Sequence, residues 1–200
     1  MARYTGPSNK LFRNYGVKDL SNRKLTSSMR QNASGQHGAV RKKLSEYAIH
    51  LNEKQKIRMT YLVSEKQFAR YYHEASRRKG VTGTILLQIL ESRLDNVLYR
   101  AGFGITRKQS RQIVNHGHVL VNGKKVDIPS YVLKAGDVVS IKERSTAYMK
   151  SIFDSIDLSC APAWITVDRD AFKLTYERVP EREEMDPEIK EQLVVEYYSK

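Results

Sequence analysis

The sequence predicts an α+β protein: a basic N-terminal arm, a helical domain, an inserted helix-helix-hairpin unit, then a small β element and an acidic C-terminal helix. Three observations predict it. Apolar residues recur at helical spacing from 45 to 101. Asn122-Gly123, the strongest short hairpin signal, sits between two alternating runs. Charge is also segregated along the chain. Residues 1–90 hold 18 Lys+Arg against 5 Asp+Glu, residues 91–150 hold 11 against 5, and residues 151–200 hold 6 against 12, within a total of +13.

Residues 1–44 read as a mostly irregular arm, punctuated by Gly6, Pro7, Gly16, Gly35 and Gly38. Tyr4, Phe12 and Tyr15 interleave with its cations, as in segments that stack on bases and pair phosphates. Residues 45–90 form the helical domain. Ser45 caps its first helix, and Ser64 with Gln67 offers a capping box to a second. Phe68, Tyr71, Tyr72 and Ala75 line one face of that second helix as core, while Lys66, Arg70, Arg77, Arg78 and Lys79 face phosphate. A third helix carries the stripe Ile85, Leu86, Ile89, Leu90, Leu94, Val97, Leu98 and Ala101, placing Arg93 and Arg100 two turns apart on one face.

Residues 91–150 form the inserted unit. Thr106 with Gln109 is a second capping box. The short helix it opens turns Ser110, Ile113 and Val114 inward and leaves Arg107, Lys108, Arg111 and Asn115 on one edge. Val119 and Val121 lead to the Asn122-Gly123 turn, with Val126 and Ile128 on the return strand. Lys134 to Asp137 make a Gly-centred turn before the strand Val138 to Lys142. In residues 151–200, Ile165 and Val167 lead to a strand from Phe172 to Tyr176, and Asp186 caps a terminal helix with Pro187 at its first position. That helix, residues 187–200, is expected to pack back onto the helical domain.

Composition narrows the function. A pI near 9.8 favours polyanions. No apolar run reaches the ~18 residues of a membrane span and no signal peptide is apparent, so no membrane partner is expected. The single cysteine, Cys160, excludes a disulfide framework.

Arg93 to Phe103 (RLDNVLYRAGF), Thr106 to Tyr131 (TRKQSRQIVNHGHVLVNGKKVDIPSY) and Lys134 to Ser145 (KAGDVVSIKERS) resemble the RNA-binding domain named after small-subunit ribosomal protein S4. The opening MARYTGP, the GQHG at Gly35 to Gly38, Arg41 to Arg58 and Pro180 to Lys200 extend the resemblance to the ribosomal protein S4 family, of bacterial or plastid type. The resemblance implies a structural constituent of the small ribosomal subunit, in bacterial cytoplasm or plastid stroma. Such a protein binds 16S-type rRNA early at a multi-helix junction in its 5′ region and organises the subunit body. It also implies a place beside the channel by which messenger RNA enters, and contact with protein S5 at an interface linked to decoding accuracy. Zinc-binding relatives carry several cysteines in the arm and this arm has none, so a zinc-free form is expected, with no cofactor. Residues Lys18 to Ser34 match poorly and contribute no site.

The candidate RNA contacts are Arg3, Tyr4, Lys10, Arg13, Arg41, Lys42, Lys43, Lys54, Lys56, Arg58, Arg70, Arg77, Arg78, Lys79, Arg93, Arg100, Arg107, Lys108, Arg111, Gln112, His116, His118, Asn122 and Lys124. Glu181, Glu183 and Glu184, crowding the start of the terminal helix, are candidates for a protein partner. Two rival chemistries are weaker. Arg93-Leu94-Asp95 mimics the motif around the catalytic aspartate of pseudouridine synthases, but Asn96 to Arg100 continue as helix and no residues remain for a catalytic domain. His116 and His118 lack the further ligands a zinc site needs. A free-standing RNA chaperone would use the same domain, so composition alone does not separate it from a ribosomal protein.

Overall fold

The computed structural model describes residues 4, 6–17, 32–40, 43–153 and 161–199. Among them are eight α-helices: α1 (Ser8–Tyr15), α2 (Glu46–Thr60), α3 (Glu65–Arg77), α4 (Thr82–Glu91), α5 (Leu94–Arg100), α6 (Arg107–Asn115), α7 (Thr146–Phe153) and α8 (Glu191–Ser199). Five strands accompany them: β1 (Val119–Val121), β2 (Lys124–Lys125), β3 (Asp137–Ile141), β4 (Ile165–Asp168) and β5 (Lys173–Tyr176). The chain divides into two compact units, residues 1–86 with 186–200, and residues 87–185.

The first unit is helical. Ser45 accepts a hydrogen bond from the Ala48 amide at 3.3 Å and caps α2, a contribution of about 1 kcal/mol. Helix α8 packs along α2, and its Tyr198 stacks on Tyr72 of α3 with ring centroids 4.6 Å apart. Phe68, Tyr71, Tyr72 and Ala75 are all buried. The arm expected to be irregular contains α1, because Phe12 and Val17 bury themselves with Met59 of α2 in a small apolar cluster. Ser64 precedes α3 but its hydroxyl makes no cap bond. The terminal helix begins at Glu191, not at Pro187. Asp186 instead accepts from the Glu188 amide at 2.9 Å, and the Lys190 amide donates to Glu53 at 2.9 Å, so the segment is held as a turn against α2.

The second unit is a five-stranded antiparallel sheet, in the order β2-β1-β3-β5-β4, covered by helices. Its core joins Leu94, Val97, Leu98 and Phe103 to Ile113 and Val114 of α6, Val119, Val121, Val139 and Ile141 of the sheet, and Trp164 and Tyr176. The β element read as part of a separate 151–200 segment completes this sheet, because β5 pairs with β3 from Asp137–Tyr176 to Ser140–Lys173.

Two local expectations change here. The third helix is broken: Ser92 and Arg93 interrupt it, Arg93 is extended (φ −70°, ψ 137°) and bridges Val132. Arg93 and Arg100 therefore do not share a helical face. The return strand is also short. After Lys125 the chain leaves the ladder, and the carbonyls of Pro129 and Tyr131 accept from the amides of Asp95 and Leu94 at 3.1 and 2.8 Å. Those amides open α5 and would otherwise lack acceptors. Ile128 is consequently exposed.

Candidate nucleic-acid interface

Helix α6 is the element around which the exposed cations gather. Thr106 accepts from the Gln109 amide at 3.1 Å, while the Gln109 side-chain oxygen accepts from the Ile105 amide at 2.8 Å. The helix start is thus doubly satisfied, one residue out of register from a standard capping box. Ser110, Arg111, Ile113 and Val114 are buried, leaving Lys108, Gln112 and Asn115 exposed and His116 exposed at the C-terminus.

Gly117 follows with φ +67°, and a Cβ there would lie 2.6 Å from Cε of Lys125. The absence of that carbon lets Lys125 lie across the end of α6, bringing an ammonium to the negative pole of the helix. Asn122 (φ 50°) and Gly123 (φ 77°) form the left-handed turn between β1 and β2. Asn122 is committed to it: its amide donates to Asp137 at 2.8 Å and its oxygen accepts from the Val138 amide at 2.9 Å. Lys124 and Lys125 are exposed beyond the turn.

Beneath this face lies an ionic lattice. Arg93, 2% exposed, donates to both oxygens of buried Asp95 at 3.0 and 2.6 Å, and Arg111 reaches the same carboxylate at 3.3 Å. Buried Glu91 accepts from Asn96 at 2.6 Å and from Arg100 at 2.7 Å. Asn96 in turn accepts from Arg107 at 3.0 Å, whose guanidinium lies 4.3 Å from the Tyr99 ring centroid. Asp95 is interior. Arg93 and Arg111, expected on a contact edge, are interior too, and Arg100 and Arg107 are partly covered.

The other expected contacts divide similarly. Lys54 is buried, 2.6 Å from Glu65 and 4.6 Å from the Tyr197 ring, and Arg58 lies 3.6 Å from the same carboxylate. Together Lys54 and Arg58, with a hydrogen bond from Tyr198, outweigh partial burial and hold the Glu65 carboxyl below its ordinary range. Lys56 donates to the Glu188 carbonyl at 2.9 Å, Arg13 to the Asn32 carbonyl, and Arg78 pairs with Glu74. Tyr4 is exposed, its hydroxyl 3.4 Å from the Pro7 carbonyl. Lys10, Lys43, Arg70, Arg77 and Lys79 are exposed and make no ion pair among the described residues. Arg3, Arg41, Lys42 and Cys160 lie outside the described residues.

Glu181, Glu183 and Glu184 lie in a 3-10 turn of the second unit, not at the start of α8. Glu184 pairs with Arg178, which lowers its pKa, and caps the Glu181 amide at 2.9 Å. Glu181 and Glu183 are exposed.

Sequence reasoning passed over Lys125, Lys142, Arg144 and Tyr148. An open cleft of about 350 Å³ at the end of α6 is lined by Gln112, Ile113, His116, His118, Arg144, Ser145 and Tyr148. His118 Nδ1 is 2.8 Å from the Ser145 hydroxyl. Partial burial pushes the His118 pKa below its ordinary value, and the neighbouring charges of His116, Arg144 and Lys142 push it further. Lys142 is lowered as well, by burial and then by Lys125 and Arg144. Burial is the larger cause for both groups, and the cations around them add to it, so an anion approaching here would meet several positive charges.

A family model described as the ribosomal protein S4/S9 N-terminal domain matches residues 3–91, and one described as the S4 domain matches residues 92–139. The chain is 52% identical over 208 residues to small ribosomal subunit protein uS4 of Laribacter hongkongensis, and 48% identical over 205 residues to that of Mesomycoplasma hyopneumoniae strain 7448. It is 50% identical over 202 residues to that of Mycoplasmopsis synoviae. In each case both chains are covered completely. The chain therefore belongs to the ribosomal protein S4 family, as an rRNA-binding structural protein of the ribosome and not an enzyme.

Proposed function

We propose that the chain binds 16S-type rRNA directly through the cations of Lys108, Lys124, Lys125, Lys142 and Arg144, with the buried arginines acting as scaffold. The observation that carries this reading is the division of the basic residues into two sets. Arg93 and Arg111 are committed to Asp95 in the interior, whereas Lys108 on α6, Lys124 and Lys125 on the hairpin and Arg144 beside the cleft are exposed, with Lys142 half-buried near Lys125 and Arg144. Such a surface gains most from phosphate, which neutralises the field and releases counterions. Arg70, Arg77 and Lys79 on α3 and just beyond it supply a second cationic face in the first unit.

In this reading the protein joins the subunit early, at a junction in the 5′ region of the rRNA, and organises the body of the particle. The relatives named above are bacterial, which favours the bacterial cytoplasm over a plastid. Exposed Glu181 and Glu183 would meet a neighbouring protein, S5 in the family's arrangement, because acidic groups are repelled by phosphate. A position beside incoming messenger RNA and a part in decoding accuracy follow from that same arrangement.

The test is the affinity of the full chain for a 5′-domain rRNA fragment. Lys108→Ala, Lys124→Ala and Lys125→Ala combined should weaken binding at least tenfold while stability falls by no more than the ~1 kcal/mol of one helix-end charge. Wild-type affinity in that variant would overturn the proposed surface.

A further inference from the structure

The cleft at the end of α6 has features that simple phosphate contact does not use. Its walls include three aromatic rings in series: His116 and His118 with centroids 5.9 Å apart, and His118 and Tyr148 with centroids 6.5 Å apart. The rings are inclined by 58° and 41°, too close and too tilted to sandwich a planar group between them. They line the cleft as separately inclined rings instead, with buried Ile113 also in the lining. Tyr148 is 48% exposed, yet its posture is fixed, since Gln109 donates to its hydroxyl at 3.2 Å. An exposed tyrosine held by a helix-capping glutamine offers its ring face to solvent at low entropic cost.

Two polar side chains in this cleft have no described partner. Gln112 is exposed on the last turn of α6 and makes no side-chain hydrogen bond among the described residues, and Arg144 makes no ion pair there. His118, bonded through Nδ1 to Ser145, keeps Nε2 for another partner. One exposed tyrosine ring, an amide and a guanidinium match the three parts of one nucleotide: a base to stack, an edge to hydrogen-bond and a phosphate to pair. The volume, about 350 Å³, falls at the small end of the roughly 300–1,000 Å³ typical of ligand sites, enough for one such group.

We propose that this cleft receives a single unstacked nucleotide of the bound RNA, its base stacked on Tyr148, its edge read by Gln112 and its phosphate held by Arg144. The proposal rests on the reading that this unit binds RNA, and adds that the surface selects RNA with a splayed-out base over continuous duplex. Tyr148 and Arg144 are then contact residues, and Gln109 a positioning residue for Tyr148.

The experiment compares the affinity of the full chain for an RNA stem carrying one bulged uridine with that for the same stem without the bulge. Wild type should prefer the bulged stem. Tyr148→Ala should lose roughly five- to a hundredfold on the bulged stem, the range of one base–aromatic stack, and little on the plain stem. Tyr148→Phe, which keeps the ring, should retain most of the preference, and Gln112→Ala should reduce it while leaving the melting transition unchanged. If Tyr148→Ala and Gln112→Ala bind both stems as wild type does, while the triple lysine variant weakens both, the nucleotide cleft is refuted and the RNA-binding surface stands. If the triple lysine variant also binds both stems normally, both readings fall.

Discussion

Arg111 and Lys108 lie three residues apart on one short helix and play different parts. Arg111 is buried against Asp95, which Arg93 also grips, so its removal leaves an interior carboxylate held by Arg93 alone. Leaving a buried charge wholly unpaired costs about 3–5 kcal/mol, an upper bound here because Arg93 stays on Asp95, whereas substituting an exposed surface lysine shifts stability by about ±0.5 kcal/mol. Arg111→Ala is therefore expected to lower the urea midpoint sharply and Lys108→Ala to leave it in place; equal midpoints would contradict the division into scaffold and contact residues. His118 provides a second residue-level check. Its folded-state pKa lies below the ordinary 6.5 through burial and the charges of His116, Arg144 and Lys142. The unfolded chain thus takes the proton first. Stability from neutral His118 is complete above about pH 6.5 and declines as the pH falls through the folded-state value. Denaturation at stepped pH should show His118→Gln losing less stability than wild type between those limits. An identical pH slope in the two proteins would contradict this placement of His118.

At the scale of elements, the hairpin depends on one backbone conformation. Asn122 and Gly123 both have positive φ, which a β-branched residue adopts at a cost of about 1–2 kcal/mol. Gly123→Val is expected to destabilise the second unit by that amount in urea titration, while Lys124→Ala does not. The Asn-Gly pair made this turn legible in the sequence, as the Ser45 and Thr106 caps made α2 and α6 legible. The helix break at Ser92-Arg93 was hidden because the apolar stripe runs unbroken from Ile85 to Ala101; α4 and α5 are both buried, so periodicity carries no mark of the interruption. Helix α1 was masked by the glycines and cations around it, its anchor being a tertiary contact with Met59. The site was half legible. Spacing identified the α6 edge, but nothing local distinguishes an arginine that meets a buried carboxylate from a lysine that stays exposed. Asn96 and Asp95, which make that choice for Arg107 and Arg111, lie 11 and 16 residues away in sequence.

For the molecule as a whole, the segregation of charge is the property that links composition to function. The two basic segments precede an acidic one, and each compact unit presents exposed cations, on α3 in the first and on α6 with the hairpin in the second. A surface built this way binds through many screened contacts, and its affinity is a function of salt as much as of geometry. The most direct test is the slope of log Kd against log salt for a 5′-domain rRNA fragment, at constant magnesium. The wild-type chain should lose roughly a thousandfold or more between about 50 and 200 mM salt if six or more phosphates are contacted. The Lys108→Ala, Lys124→Ala and Lys125→Ala variant should show a slope shallower by about two to three, since each phosphate that a lysine no longer neutralises removes roughly one from it. An unchanged slope in that variant would place these lysines in solvent and contradict the central claim that the exposed face of α6 and the hairpin binds the RNA.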